Sequence, residues 1–295
     1  MPEDFVIIKV KPWNTFSSLA DTYLDDPSKG WVIAQFNNTE TLSAGQDIVI
    51  PLKPLAKGGL TWDGYQTVPV LTYHRFSEER GSENIVSRVA FETQMNFLKE
   101  NGYNVITPGQ LLPFLNFRTQ LYEKSVLITI DGGWKSFYDI AFPILKKYDF
   151  PFTLFVNADF IGSKDALTWK QAEELAIEGV DIQCQIRDMG ISESDKSGFR
   201  DYFESLEKKI SGSAELIYDN LHIKCQYMAY TPGKMNNLFI ELLKKKGYLG
   251  GFAVSGESNP FFVNNYRIHR FAVYGEDDIE AFKRKLAVFR KEELK

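Results

Sequence analysis

Seven short apolar, strand-like runs follow one another after residue 67: VPVLTY (68–73), SVLITI (125–130), FTLFV (152–156), VDIQC (180–184), QYMAY (226–230), GGFAV (250–254) and RIHRFAV (267–273). Amphipathic stretches separate them, among them FETQMNFLKENG, SFYDIAFPILKKY, TWKQAEELAIEG and NNLFIELLKKKG. Several of these end at a Gly or Asn stop with lysines in the last turn, where the helix dipole favours positive charge. Regular alternation of strand and helix predicts an α/β fold with a parallel sheet covered by helices. Seven units point to a barrel or partial barrel, whose chemistry sits at the C-terminal ends of the strands.

The pattern breaks at PLKPLAKGGLTWDGY (51–65), where Pro, Lys and Gly interrupt two patterned regions. Before the break, DFVIIKV reads as a strand, TFSSLADTYL and GWVIAQFN as short helices and QDIVIPL as a closing strand. The expected organisation is a small βααβ unit over 1–53, a linker over 54–66 and the barrel over 67–295. No internal repeat or low-complexity tract appears.

The strand ends carry Tyr73 and His74, Asp131, Asn157, Gln185 with Arg187 and Asp188, and Tyr230 with Pro232 and Gly233. An isolated strand-end Asp is as readily an N-cap as a catalytic group, but several polar strand ends together mark a site. Within it, LITIDGGWKSF (127–137) runs from strand into one acid, Asp131, and then into glycines that let the chain turn under a helix.

Composition narrows the function. The 295 residues, 44% hydrophobic and 25% charged, suffice for two packed domains. A net charge of −5 argues against a nucleic-acid partner, which would call for a basic face. Cys184 and Cys225 form no zinc-type pair; they read as two buried thiols, with one disulfide open to them. No apolar run is long enough for a transmembrane segment. MPEDFVIIKV lacks the basic and apolar regions of a signal peptide, which leaves a cytoplasmic protein or one whose signal has been removed.

Residues 68–295 resemble the polysaccharide deacetylases, the NodB-homology carbohydrate esterases. VPVLTYHRF resembles the family's first strand, FETQMNFLKENGYNVITPGQLLPFL the helix, strand and helix that follow it, and LITIDGGWKSFYDIAFPILKKYDFPFTLFV the T-F-D-D-G segment and what comes after. LTWKQAEELAIEGVDIQCQIRDM resembles the approach to H-[ST]-x-x-H, and AYTPGKMNNLFIELLKKKGYLGGFAVSG the substrate-groove segment. The resemblance implies a distorted (β/α) barrel that removes acetyl groups from N-acetylated sugars. The N-terminal unit is similar to LysM modules: VKPWNTFSSLADTYL and WVIAQFNNTETLSAGQDIVIP stand on their pattern. That similarity implies binding of N-acetylglucosamine-containing glycan through loops around Trp13, Asn14 and Thr15 and around Asn37 and Asn38. Trp13 takes the usual glycine position and Asn14 the usual aspartate; an indole there either blocks the groove or stacks on a sugar face.

In the deacetylase family the first Asp of T-F-D-D-G is the general base, while the second Asp and both histidines hold a divalent ion that generates hydroxide and polarises the amide. Asp131 keeps the base position. Gly132, Gln185 and Met189 stand at the three ligand positions, and none is a tight zinc donor. If the glycines of the groove loop align, Pro232 replaces an oxyanion donor and brings no N–H. Without a cation, Asp131 is expected to pair with Arg187 or with its own turn. Of three histidines, His74 and His269 are the ones that could reach Asp131 and, with Asp188, rebuild a site.

Three functions remain open. One is an inactive homologue, with no cofactor, that holds peptidoglycan or exopolysaccharide in the cell envelope, its groove lined by Trp134, Tyr230 and Trp169. Another is an active deacetylase with relocated ligands for zinc or another divalent ion. The last is a scaffold whose cleft docks an envelope protein. The first is the reading adopted, with a periplasmic or extracellular location and a removed signal.

Overall fold

The computed structural model describes residues 4–53, 57–79, 81–186, 198–230 and 236–292. Arg187, Asp188, Met189, Pro232 and Gly233 lie outside these residues.

The N-terminal unit runs β1 (Phe5–Lys9), α1 (Phe16–Leu24), α2 (Gly30–Phe36) and β2 (Asp47–Pro51), with β1 and β2 antiparallel. Thr15 caps α1 in a reciprocal capping box with Ser18. Leu19, Ala20, Ile33, Ile48 and Ile50 close a small core of the unit's own. The expected βααβ order is the observed one.

After it come β3 (Leu60–Thr61), β4 (Gly64–Val68), β5 (Val70–Tyr73), β6 (Arg75–Ser77), β7 (Ile85–Ser87), α3 (Arg88–Glu100), β8 (Asn104–Ile106), α4 (Pro108–Leu115) and β9 (Ser125–Gly132). The chain continues through α5 (Phe142–Tyr148), β10 (Thr153–Val156), α6 (Trp169–Ile177), β11 (Asp181–Ile186), α7 (Phe199–Leu221), β12 (Tyr227–Tyr230) and α8 (Asn237–Lys245). It ends with β13 (Gly250–Val254), β14 (Asn259–Pro260), β15 (Ile268–Ala272), α9 (Ile279–Arg284) and β16 (Phe289–Lys291). Residues 60–68, partly in the expected linker, pair as strands: β3, β14 and β16 all join β4 antiparallel.

Strands β5, β9, β10, β11, β12, β13 and β15 pair in parallel, and the β15–β5 pairing closes them into a seven-stranded barrel. The sequence reason is period two on strands buried on both faces. Leu71, Ile128, Leu154, Ile182 and Met228 point out against the helices in the main core. Val70, Leu127, Phe155, Tyr227, Phe252 and Ile268 point in and fill the barrel. The inward set mixes apolar residues with buried polar ones such as Thr129, Thr153 and Gln183, and toward the strand ends it presents Asp131, Gln185 and Arg270, where the site begins.

Candidate functional site

Asp131 is the second-to-last residue of β9 and is 8% exposed. Its partner is Arg270 on β15, an inward residue 1% exposed. Arg270 Nη1 donates to Asp131 Oδ1 at 2.7 Å and Nη2 to Oδ2 at 3.0 Å, a two-pronged match of guanidinium to carboxylate. Nη1 also reaches Thr72 Oγ1 at 3.2 Å and Thr129 Oγ1 at 3.3 Å, the guanidinium carbon lies 5.4 Å from the centre of the Phe155 ring, and Nε is left without an acceptor. Asp131 is therefore an ionic partner inside the barrel mouth. Both carboxylate oxygens accept from Arg270 of β15, while Arg187, the partner expected from the sequence, lies outside the described residues.

Gly132 follows with φ +107°, a backbone state that side chains with a Cβ rarely enter. A Cβ built there would lie 2.6 Å from Trp134 Nε1 and 3.5 Å from His74 Cε1. The indole thus stands where a side chain at position 132 would have to go. Trp134 is held there from several sides. Phe160 meets it edge-on at 4.5 Å, His74 edge-on at 5.5 Å, and the Arg75 guanidinium lies 4.3 Å from its ring centre. The turn is fixed as well, because Leu167 donates to the Gly133 carbonyl at 2.9 Å and the Phe76 amide donates to Ser136 Oγ at 3.1 Å.

Gln185, near the end of β11, is 8% exposed, and its Oε1 has no hydrogen-bond partner. Gln183, two residues earlier, is satisfied: its Oε1 accepts from the Gln226 and Tyr227 amides and locks β11 to the start of β12. His74 stands beside Gly132, its Cε1 3.5 Å from a Cβ built there. His269 does not: its neighbour Arg270 points inward, so the period of the strand turns His269 outward, where its Nδ1 lies 2.6 Å from Ser255 Oγ.

Tyr230 does not line the cleft either. Its ring packs edge-on against Phe239 of α8, and its hydroxyl donates to the Tyr266 carbonyl at 2.6 Å, on the outer side of the barrel. Burial pushes that hydroxyl well above the ordinary phenol range, so it remains a donor. Trp169 packs partly buried against the main core.

Among the described residues no group of three His, Cys, Asp or Glu side chains could hold a metal ion. The two described ligand positions do not fit one: Gly132 has no donor and no room for a side chain, and Gln185 offers a neutral amide.

In the N-terminal unit the 11–15 and 37–46 loops leave the same end of the β1–β2 pair, where the Val10 amide donates to Gln46 and the Gly45 amide to Val10. Trp13 is 71% exposed, with Lys11 Nζ 5.5 Å from its ring centre. Asn14 accepts from the Lys11 amide, Thr15 caps α1, and Asn38 sits in the left-handed region. Asn37 is consumed by the fold: its amide donates to the Ile33 and Val49 carbonyls and accepts from the Val49 amide.

Arg270 is the residue the sequence reading missed. Its signal was available: RIHRFAV puts one arginine on the same strand parity as Ile268, and a buried guanidinium demands a counter-charge.

Residues 118–251 match the family model described as polysaccharide deacetylase. The Bacillus subtilis protein YxkH, whose name places it among polysaccharide deacetylases, is 29% identical over 206 residues, 70% of this chain and 71% of its own length. The poly-β-1,6-N-acetyl-D-glucosamine N-deacetylase of Staphylococcus epidermidis is 28% identical over 225 residues, 69% of this chain and 78% of its own length. The solved structure of IcaB from Ammonifex degensii superposes with a TM-score of 0.65 at 26% identity, covering 76% of this chain and 96% of that one. The barrel has the NodB-like (β/α) fold, and its sequence is similar to polysaccharide deacetylases.

Proposed function

We propose that this protein is a non-hydrolysing relative of the polysaccharide deacetylases that holds N-acetylglucosamine-containing glycan, such as peptidoglycan or exopolysaccharide, in the cell envelope or outside the cell. One observation carries the reading: the place for a side chain at position 132 is taken by the Trp134 indole over a glycine-only backbone. Deacetylation of an N-acetyl sugar by a metal hydroxide needs three anionic or imidazole ligands and an open position for water. Gly132 and Gln185 supply neither charge nor imidazole. Asp131, clasped by Arg270, then acts as an internal counter-ion and not as a base.

The substrate class comes from the relatives. The Staphylococcus epidermidis relative carries the name of an enzyme acting on a polymer of N-acetylglucosamine. The N-terminal unit, read as LysM-like, would add a second contact through exposed Trp13 and the neighbouring loops, and two modest contacts on one polymer chain multiply retention. The N-terminal unit touches the barrel near the start of β9, away from the mouth. Trp31 of α2 packs edge-on against Tyr122, which precedes β9, whereas Asp131 is at the far end of β9, about 20 Å along the strand. A polymer touching both the N-terminal unit and the barrel mouth would span about that length, which favours long chains over short oligomers. No helix among the described residues is long and apolar enough to cross a membrane.

Calorimetry with acetylated poly-β-1,6-N-acetylglucosamine and with chito-oligosaccharides, each with zinc and with chelator, tests the reading. The expected result is binding that strengthens with chain length and is indifferent to zinc. Absence of binding to every acetylated glycan, or binding that requires zinc, contradicts it.

A further inference from the structure

Where the N-terminal unit meets the barrel, a cavity of about 660 Å³ opens between α2, the segment before β9, and β16. That is the size of a small-ligand cleft, and both units build it. Trp31 and Phe36 come from α2 and Phe289 from β16. Phe289 stands opposite Gln66 of β4 in the antiparallel register, so the two share a face and wall the cavity together. The barrel side is held in place: Gln66 Nε2 donates to the Tyr122 carbonyl at 2.7 Å, and the Tyr122 ring meets Trp31 edge-on at 5.7 Å. Phe36 and Phe289 nonetheless keep their rings exposed. Beside them stand the Gln35 amide and the Glu123 carboxylate, which no hydrogen bond or ion pair engages among the described residues. The charged lining residues, Glu123 and Lys124, cancel.

Phe289 also lines a second cavity, of about 540 Å³, on the outer flank of β15 beside His269. Phe262 borders it, exposed and edge-on to Tyr65 at 5.5 Å, and its Glu257 and Arg290 again balance. Three exposed rings thus border two cavities joined at one of them. Exposed apolar surface rimmed by polar groups marks a binding site. Its concave form, with rings beside unspent amide and carboxylate, suits a ligand of flat apolar faces and many hydroxyls, and its balanced charge disfavours a strongly ionic polymer.

We propose that this cleft is a glycan-binding site separate from the Trp13 loops and from the barrel mouth, none of whose residues Trp13, Asn37 and Asp131 lines it. An uncharged stretch of N-acetylated polysaccharide lies across Phe36, Phe289 and Phe262, with sugar faces on the rings and hydroxyl and acetamido groups on Gln35 and Glu123. The class of occupant rests on the glycan reading above, whereas the location rests on the cavities and the exposed rings.

Acetylated β-1,6-linked N-acetylglucosamine oligomers and chito-oligosaccharides are titrated by calorimetry into the full chain, after thermal melting has shown each variant folded. Phe36→Ala and Phe289→Ala are each expected to weaken binding about fivefold or more, the mark of an aromatic anchor. Thr61→Trp, which sets an indole into the first cavity from its exposed edge, is expected to abolish binding there. Tyr218→Ala, which removes an exposed ring on α7 that borders neither cavity, is expected to leave affinity unchanged. Wild-type affinity in both phenylalanine variants overturns this site and leaves the glycan reading standing. A wild-type chain that binds no acetylated glycan overturns both. An equal loss in Tyr218→Ala overturns the site as well, because any exposed ring would then serve. If Phe289→Ala does not fold, Phe36→Ala at the exposed end of α2 decides by itself.

Discussion

The barrel mouth and the N-terminal unit use aromatic and polar side chains in opposite ways. At the mouth, Trp134 is wedged among His74, Arg75 and Phe160, and Asp131 is clasped by Arg270, so the groups that could meet a ligand are already spent on one another. In the N-terminal unit Trp13 is 71% exposed beside Lys11, on a loop that a capping box and a single small core hold in place. A site keeps its chemistry only while its polar groups have unspent valence. By that measure Asp131 and Trp134 at the mouth are tied into the structure, whereas Gln185 Oε1 at the mouth and the exposed Trp13 ring of the N-terminal unit are not.

The sharpest way to break the comparison is Arg270→Ala. It leaves the Asp131 carboxylate buried without its counter-charge and should cost about 3–5 kcal/mol of stability in urea unfolding. Arg270→Lys keeps the charge but loses the two-pronged match, and should recover only part. A change within 1 kcal/mol for the alanine variant, the usual scale of a surface substitution, would mean that the pair is incidental.

Gly132→Asp comes next. The aspartate must enter a φ of +107° and displace the indole, so we expect a loss of about 1–3 kcal/mol and no uptake of zinc. Gln185→Leu should move stability the other way or leave it alone. It removes a buried amide oxygen that has no partner, a gain of up to about 1 kcal/mol if the leucine fits. Together these two variants separate a mouth that is packed from one that is only empty.

The smallest effect on stability belongs to Trp13→Ala, within about 0.5 kcal/mol by thermal melting because the ring is exposed. Its effect on function should be the reverse of its effect on the fold. Retention on an insoluble N-acetylglucosamine polymer is expected to fall severalfold, while Arg270→Lys leaves retention by the N-terminal unit intact. Equal retention by Trp13→Ala and wild type would remove the N-terminal unit from the binding account.

The barrel was legible because its strands are buried on both faces and so stand out as unbroken apolar runs; GGFAV (250–254) coincides with β13, and SVLITI falls inside β9. The long helix α7 was not foreseen from periodicity, since its charged surface dilutes the apolar stripe of Leu206, Ile210 and Ile217. Local pattern also placed Asp131 and Trp134 in one strand-to-helix turn and His74 at another strand end that could reach Asp131. It did not supply the partner of Asp131, because Arg270 is 139 residues away and only the closing of β15 onto β5 brings the two together. Tyr230 misled for a related reason. A strand-end tyrosine can face either side of a barrel wall, and its side was set by Phe239 and the Tyr266 carbonyl, which one-dimensional pattern does not locate.

The central claim is tested most directly by equilibrating the intact protein with zinc, removing free ion, and measuring bound metal by elemental analysis alongside acetate released from an N-acetylglucosamine oligomer. We predict far less than one zinc per chain and no acetate above the protein-free control. One tightly held ion per chain accompanied by steady acetate release would contradict the account.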